Sequence, residues 1–111
     1  MRALVTGADG CVGGHIAEAL RAAGHDVLGC VFDRPPGESE QRLDLRSEES
    51  VRALPRGHMD VVVHAAGLVD HGVPAALMEE VNHGGTRRIL RWAERASVAH
   101  FVQISSISVY G

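Results

Sequence analysis

An α/β fold, built as a doubly wound parallel sheet of about five strands, is what this sequence predicts. Three observations predict it. Short apolar runs alternate with amphipathic stretches from one end of the chain to the other. That order implies parallel pairing with right-handed crossovers. The first apolar run enters a glycine turn, Thr6-Gly7-Ala8-Asp9-Gly10-Cys11-Val12-Gly13, with an amphipathic stretch directly behind it. The chain has 111 residues, 45% of them apolar, which is the size and composition of one globular domain spanning residues 1–111.

The elements follow in order. Arg2 to Thr6 reads as a buried strand. Val12 to Ala23 reads as a helix with Val12, Ile16, Leu20 and Ala23 on one stripe, and Gly24 is its natural stop. Asp26 to Phe32 is a second strand, Arg34 to Ser39 a loop by its Pro-Pro-Gly composition, and Gln41 to Leu45 a short third strand. Ser47 predicts an N-cap, with Glu48 and Glu49 placed favourably in the first turn of a short helix that Pro55-Arg56-Gly57 ends. Val61-Val62-Val63 is a fourth strand, its β-branched residues suited to a sheet covered on both faces. Pro74 opens a long helix with Leu77, Met78, Val81, Ile89 and Ala93 inward. His100 to Ser105 is a fifth strand.

Composition removes several function classes. Net charge is −3, so no basic surface points to nucleic acid or an anionic membrane. All 11 basic residues are arginine, which excludes a Walker-type phosphate loop and lysine chemistry within the chain. No apolar run is long enough to span a bilayer, and the glycine turn interrupts the N-terminal run too early for a secretory signal. Two cysteines, Cys11 and Cys30, point to a reducing, cytoplasmic setting rather than a disulfide scaffold. The histidines lie on separate elements without paired Cys/His spacing, so no metal site is expected; His15 is within reach of a phosphate, with solvent exposure as the plainer reading.

The glycine rhythm carries the chemistry. Glycines at 7, 10 and 13 let the backbone approach a pyrophosphate, and the amides that open the next helix face its charge. Gly7, Gly10, Cys11, Val12 and Gly13 are therefore candidate cofactor contacts at the switch point of a Rossmann-type sheet. Asp33 follows Gly13 by twenty positions, where a carboxylate can accept both hydroxyls of an adenosine ribose and repel a 2′-phosphate. That favours NAD over NADP, although Arg34 would pair with such a phosphate if its loop swung round. Taken alone, Asp33 also reads as an exposed turn residue. Ala65-Ala66-Gly67 makes a floor on which a flat ligand can lie, or a simple tight turn. Asn82, Gly84 and Gly85 fall mid-helix, where each Gly costs about 1 kcal/mol relative to Ala. Close packing on the sheet would explain the glycines, and a buried hydrogen bond would explain Asn82.

These residues resemble the N-terminal half of an extended short-chain dehydrogenase/reductase, in the NAD-dependent epimerase/dehydratase family. The family's Thr-Gly-x-x-Gly-x-x-Gly is matched by Thr6, Gly7, Gly10 and Gly13. Its Asp plus apolar residue after the third strand, which touches adenine, is matched by Asp44-Leu45. Its small-residue run beside the cofactor resembles His64-Ala65-Ala66-Gly67, and its Asn-x-x-Gly-Thr is matched by Asn82, Gly85 and Thr86. Its Ser-Ser-x-x-Val-Tyr-Gly is matched by Ser105, Ser106, Val109, Tyr110 and Gly111. Cys11 departs from the pattern by replacing the usual aromatic, which should loosen packing beneath the pyrophosphate.

The resemblance implies an NAD-dependent oxidoreductase acting by hydride transfer on a nucleotide sugar or a related alcohol. Segments from Ala65 to Asp70 and from Ser105 to Gly111 are also similar to hydroxysteroid dehydrogenases. Ser106 is implied as the catalytic hydroxyl that bonds the reacting oxygen, with Ser105 beside the cofactor; all three serines of the segment also suit a strand end satisfying loose amides. The family's Tyr-x-x-x-Lys pair has no match, because Tyr110 is the single tyrosine and there is no lysine. The chain is therefore expected to be the cofactor half of a longer enzyme, inactive alone and prone to form a homodimer or larger self-assembly. The alternative is a non-catalytic dinucleotide sensor or inactive remnant.

Overall fold

The computed structural model describes residues 1–55, 57–66 and 74–104, apart from the Met78 side chain. Five strands form one sheet: β1 (Arg2–Thr6), β2 (Asp26–Val31), β3 (Glu40–Arg42), β4 (Val61–His64) and β5 (His100–Gln103). They are ordered β3-β2-β1-β4-β5, and every pairing is parallel. The order reverses between β1 and β4, which are paired from Ala3↔Val61 to Thr6↔His64. The glycine turn leaves β1 at that reversal, where open α/β sheets bind their ligands.

Both faces of the sheet are covered because strand side chains alternate. On one face Leu4, Cys30 and Val62 pack with Val51 of α2 (Glu48–Arg52), with Leu54 just beyond that helix, and with Ile89, Trp92 and Ala93 of α4 (Gly85–Arg95). On the other, Ala3, Val5, Val27, Val61 and Val63 pack against α1 (Cys11–Ala22) through Ala17, with Ile16 and Leu20 half-buried beside it. The inner stripe of α1 is thus narrower than expected. Its buried residues are Gly13 and Ala17, while Val12 and Ala23 are exposed. Val12 lies in the first turn, and Ala23 is the C-cap where the chain turns away.

Strand ends differ from the periodicity wherever a side chain captures the backbone. β2 stops at Val31 because the amides of Phe32 and Asp33 donate to the Asp9 carboxylate, at 2.9 and 2.7 Å. β3 is only three residues long because Asp44 donates its amide to Ser50 Oγ at 2.8 Å, turning the chain towards α2. Ser47 caps α2 as expected, its hydroxyl accepting from the Ser50 amide at 3.2 Å. Gly24 closes α1 at φ +88°, a left-handed conformation that glycine adopts without strain.

The long helix begins after Pro74 but is not uniform. A short α3 (Ala75–Glu79) passes into a π-helical turn over Glu80–Gly84 before α4. Local widening of this kind recurs at functional sites. The Thr86 hydroxyl donates to the Asn82 carbonyl at 2.6 Å across the junction. Gly85 presses on the loop after β3, since a Cβ there would lie 2.7 Å from Leu45 Cβ. Gly85→Ala should therefore destabilise the chain by about 1–3 kcal/mol, despite alanine's better helix propensity. Chemical denaturation would show a lower midpoint with an unchanged slope. Gly84 has no such sheet contact; its nearest neighbours are the side chains of Arg88 and Glu80.

Candidate functional site

The carboxyl ends of β1, β2 and β4, with the loop after β3, surround a cleft of about 260 Å³. Gly7 and Gly10 form one wall, Phe32 and Asp33 a second, Asp44 and Leu45 a third, and Ala65 and Ala66 the floor. The candidate residues of four separate segments are thus brought together. Gly67, Ser105 and Ser106 lie outside the described residues.

The glycine turn is close-packed. Gly7 has φ +68°, and a Cβ on it would come within 2.8 Å of the Ala66 backbone. Gly10 donates its amide to the Gly7 carbonyl at 2.9 Å and then serves as the N-cap of α1 without any side-chain cap. No acidic residue occupies the first turn of α1. The amides of Cys11, Val12 and Gly13 are left without intrahelical acceptors at the positive end of the helix dipole. Their natural complement is an anion with several oxygens. Cys11 is exposed, with its thiol 3.9 Å from His15 Nδ1. Cys30 is buried on the sheet, and burial pushes its thiol up to about 12; both cysteines are free.

Asp9 lines the cleft, a position that the glycine spacing does not single out. Partial burial pulls its carboxyl upward, but the amides of Asp33 and Phe32, its own amide and nearby Arg34 outweigh that and hold it below the ordinary range. It remains an anion and clamps the end of β2 to the glycine turn, which places Asp33 at the cleft. The available signal was an acidic residue inside a glycine turn. Phe32 was also missed. Its ring lies under two guanidinium groups, Arg42 at 5.2 Å and Arg46 at 5.5 Å, and it walls the cleft next to Asp33.

Arg34 does not swing towards the cleft. It makes a two-pronged pair with Glu40, Nη1 to Oε1 at 2.6 Å and Nη2 to Oε2 at 2.7 Å. Arg34 and the Gly37 amide together draw the Glu40 carboxyl down to about 2. Asp44 and Leu45 line the cleft on the side of the loop after β3. The Arg46 side chain, bonded to the Asp44 carboxylate at 3.1 and 3.2 Å, is the main cause that lowers that carboxyl. Leu45 is buried, and its carbonyl accepts from Arg88 Nη1 at 2.8 Å. Leu77, expected inward, is 36% exposed because it borders the cleft instead of the core.

Beneath the floor, Thr6 Oγ1 accepts the amides of Ala65 and Ala66, both at 3.1 Å. Its proton is then free for His64 Nδ1, at 2.7 Å. That assigns the remaining imidazole proton to Nε2, which reaches Thr86 Oγ1 at 3.1 Å. Burial lowers the imidazole to about 4. His64 is thus a built-in hydrogen-bonding residue, 2% exposed, which ties β1, β4 and α4 together under the site. Among the described residues no group of three His, Cys, Asp or Glu is placed to hold a metal ion, and no helix is long and apolar enough to cross a membrane.

Comparison with known proteins identifies the family. Residues 3–111 match the model of the NAD dependent epimerase/dehydratase family. The chain is 32% identical to UDP-glucose 4-epimerase of Streptomyces lividans, over 97% of the chain and 36% of that protein. It is also 32% identical to 3 beta-hydroxysteroid dehydrogenase/Delta 5-->4-isomerase of Mycobacterium tuberculosis, over 97% of the chain and 32% of that protein. The chain thus spans about a third of the length of these curated relatives. Among solved structures it is similar to a short-chain dehydrogenase/reductase superfamily protein from Agrobacterium tumefaciens with bound NAD. The TM-score is 0.75 with 32% identity, over 96% of this chain and 33% of that one.

Proposed function

This chain belongs to the NAD dependent epimerase/dehydratase family, and from that premise we propose that it is the NAD-binding part of an oxidoreductase acting on a nucleotide sugar or a related alcohol. The observation that carries the reading is the uncapped, acid-free N-terminus of α1 opening beside a cleft floored by Ala65 and Ala66. Bound there, the dinucleotide supplies reversible hydride transfer through its nicotinamide.

Each residue then has a task. The amides of Cys11, Val12 and Gly13 bind the diphosphate. Asp33, held by Asp9, accepts the hydroxyls of the adenosine ribose. Asp44 and Leu45 border the adenine, and Ala65 and Ala66 let the flat cofactor lie close to the sheet. Ser106 donates to the reacting oxygen of the substrate, where a hydroxyl stabilises developing charge. The chain holds one tyrosine and no lysine, so by itself it should bind without turnover.

Calorimetric titration tests the reading. The chain should bind NAD more tightly than NADP. Asp33→Ala should weaken NAD by about tenfold while leaving NADP little changed, as expected for two lost charge-assisted bonds to the ribose. NADP binding more tightly than NAD to the wild type would overturn the choice of cofactor.

A further inference from the structure

We propose that Glu40 is a cofactor-selectivity residue, which enforces NAD by withholding Arg34 from the site a 2′-phosphate would occupy. The inference rests on the dinucleotide reading above and adds to it the residue that decides between the two nucleotides.

The geometry is specific. Arg34 follows Asp33 directly, and Asp33 lines the cleft where the ribose hydroxyls are expected. An arginine at this place is the natural partner of a 2′-phosphate, because its planar fork matches phosphate oxygens. Here the fork is already filled. Both terminal nitrogens of Arg34 bond to Glu40, at 2.6 and 2.7 Å, and Nη1 also lies 3.4 Å from the Pro35 carbonyl. Glu40 is well placed to hold it. It is the first residue of β3, its side chain is only 11% exposed, and Oε1 also accepts the Gly37 amide at 2.7 Å. The carboxylate is thereby anchored to the sheet edge and to the loop, and the arginine is the more exposed partner, at 47%.

Two further cations stand at this end of the cleft, which Arg46 itself lines. Arg46 is paired with Asp44, and Arg42 lies over the Phe32 ring. The ribose end of the cleft consequently presents the Asp33 carboxylate with its adjacent guanidinium neutralised. A doubly charged phosphate meets the Asp33 carboxylate there, and the Arg34 fork is not free to answer it.

Titrating the wild-type chain and its variants with NAD and NADP tests this. Glu40→Gln keeps the shape of the side chain but gives up the charge, and should raise NADP affinity about tenfold while NAD stays within about twofold. Glu40→Ala frees Arg34 equally and should shift the ratio in the same direction, so a folding defect in either variant leaves the other to decide. Adding Arg34→Ala to Glu40→Gln should abolish the gain. Arg34→Ala alone should leave the wild-type ratio unchanged. A purely structural ion pair would lower both affinities together; an unchanged NADP-to-NAD ratio in the Glu40 variants, with NAD still bound, overturns the proposal alone. Failure of the wild type to bind either dinucleotide overturns both this inference and the reading beneath it.

Discussion

Gly13→Ala should abolish NAD binding and destabilise the chain by about 3 kcal/mol. A Cβ at residue 13 would lie 2.1 Å from the Gly7 carbonyl oxygen and 2.7 Å from its carbon. Both atoms are backbone, so no rotamer change relieves the clash. Either α1 moves off the turn or Gly7 leaves its φ of +68°. In both cases the first-turn amides lose their common direction, and binding that depends on several donors at once is lost with it. Gly14→Ala is the control, because it adds the same methyl one position later. Its Cβ would meet only the Ala8 carbonyl at 3.2 Å, and better helix propensity offsets that contact. Thermal melting and NAD titration of the two variants should separate cleanly. A Gly13→Ala chain that melts and binds like the wild type would contradict the packing of the turn.

Stability should fall by about 3 kcal/mol as pH drops from neutral towards 4, through His64. The imidazole is lowered from 6.5 to about 4 by burial. Between those values the unfolded chain binds a proton that the folded chain refuses, so folding weakens as pH falls. Above 6.5 the full stability is present, and below about 4 both states are protonated and this contribution is gone. The hydrogen bonds point the same way. Thr6 Oγ1 already accepts two amides, so it is better placed to donate to Nδ1 than to receive a third proton. Protonating Nδ1 would turn that acceptor into a donor aimed at a filled oxygen. Denaturant midpoints measured between pH 7 and 5 isolate the effect, since the carboxylates titrate mainly below that range. His64→Gln should flatten the slope there. A wild-type midpoint that stays constant between pH 7 and 5 would refute the neutral, bonded imidazole.

Much of the site was legible because its logic is local. The glycine spacing requires a turn whatever surrounds it, and Gly7, Gly10 and Gly13 form that turn. Asp33, Asp44, Leu45, Ala65 and Ala66 were readable because each stands just past a strand, and parallel strands deliver their carboxyl ends to one edge. Asp9 and Phe32 were not readable. Asp9 acts on amides more than twenty residues away, and no spacing within one element marks such a bond. Leu77 was misplaced for a related reason. Helical periodicity finds an apolar face but does not say whether that face meets a core or a cleft.

The linear order of residues determined the alternation of strands and helices, the glycine turn and its helix, and the acidic residue expected at the ribose, because these depend on near neighbours and backbone sterics. Tertiary structure alone decided which partner took Arg34, how His64 became a neutral tie beneath the floor, and where β2 and β3 ended. Each of those outcomes is a competition for hydrogen bonds between groups 6 to 58 residues apart that no single helix or strand repeat relates, and only their meeting in space settles which one wins.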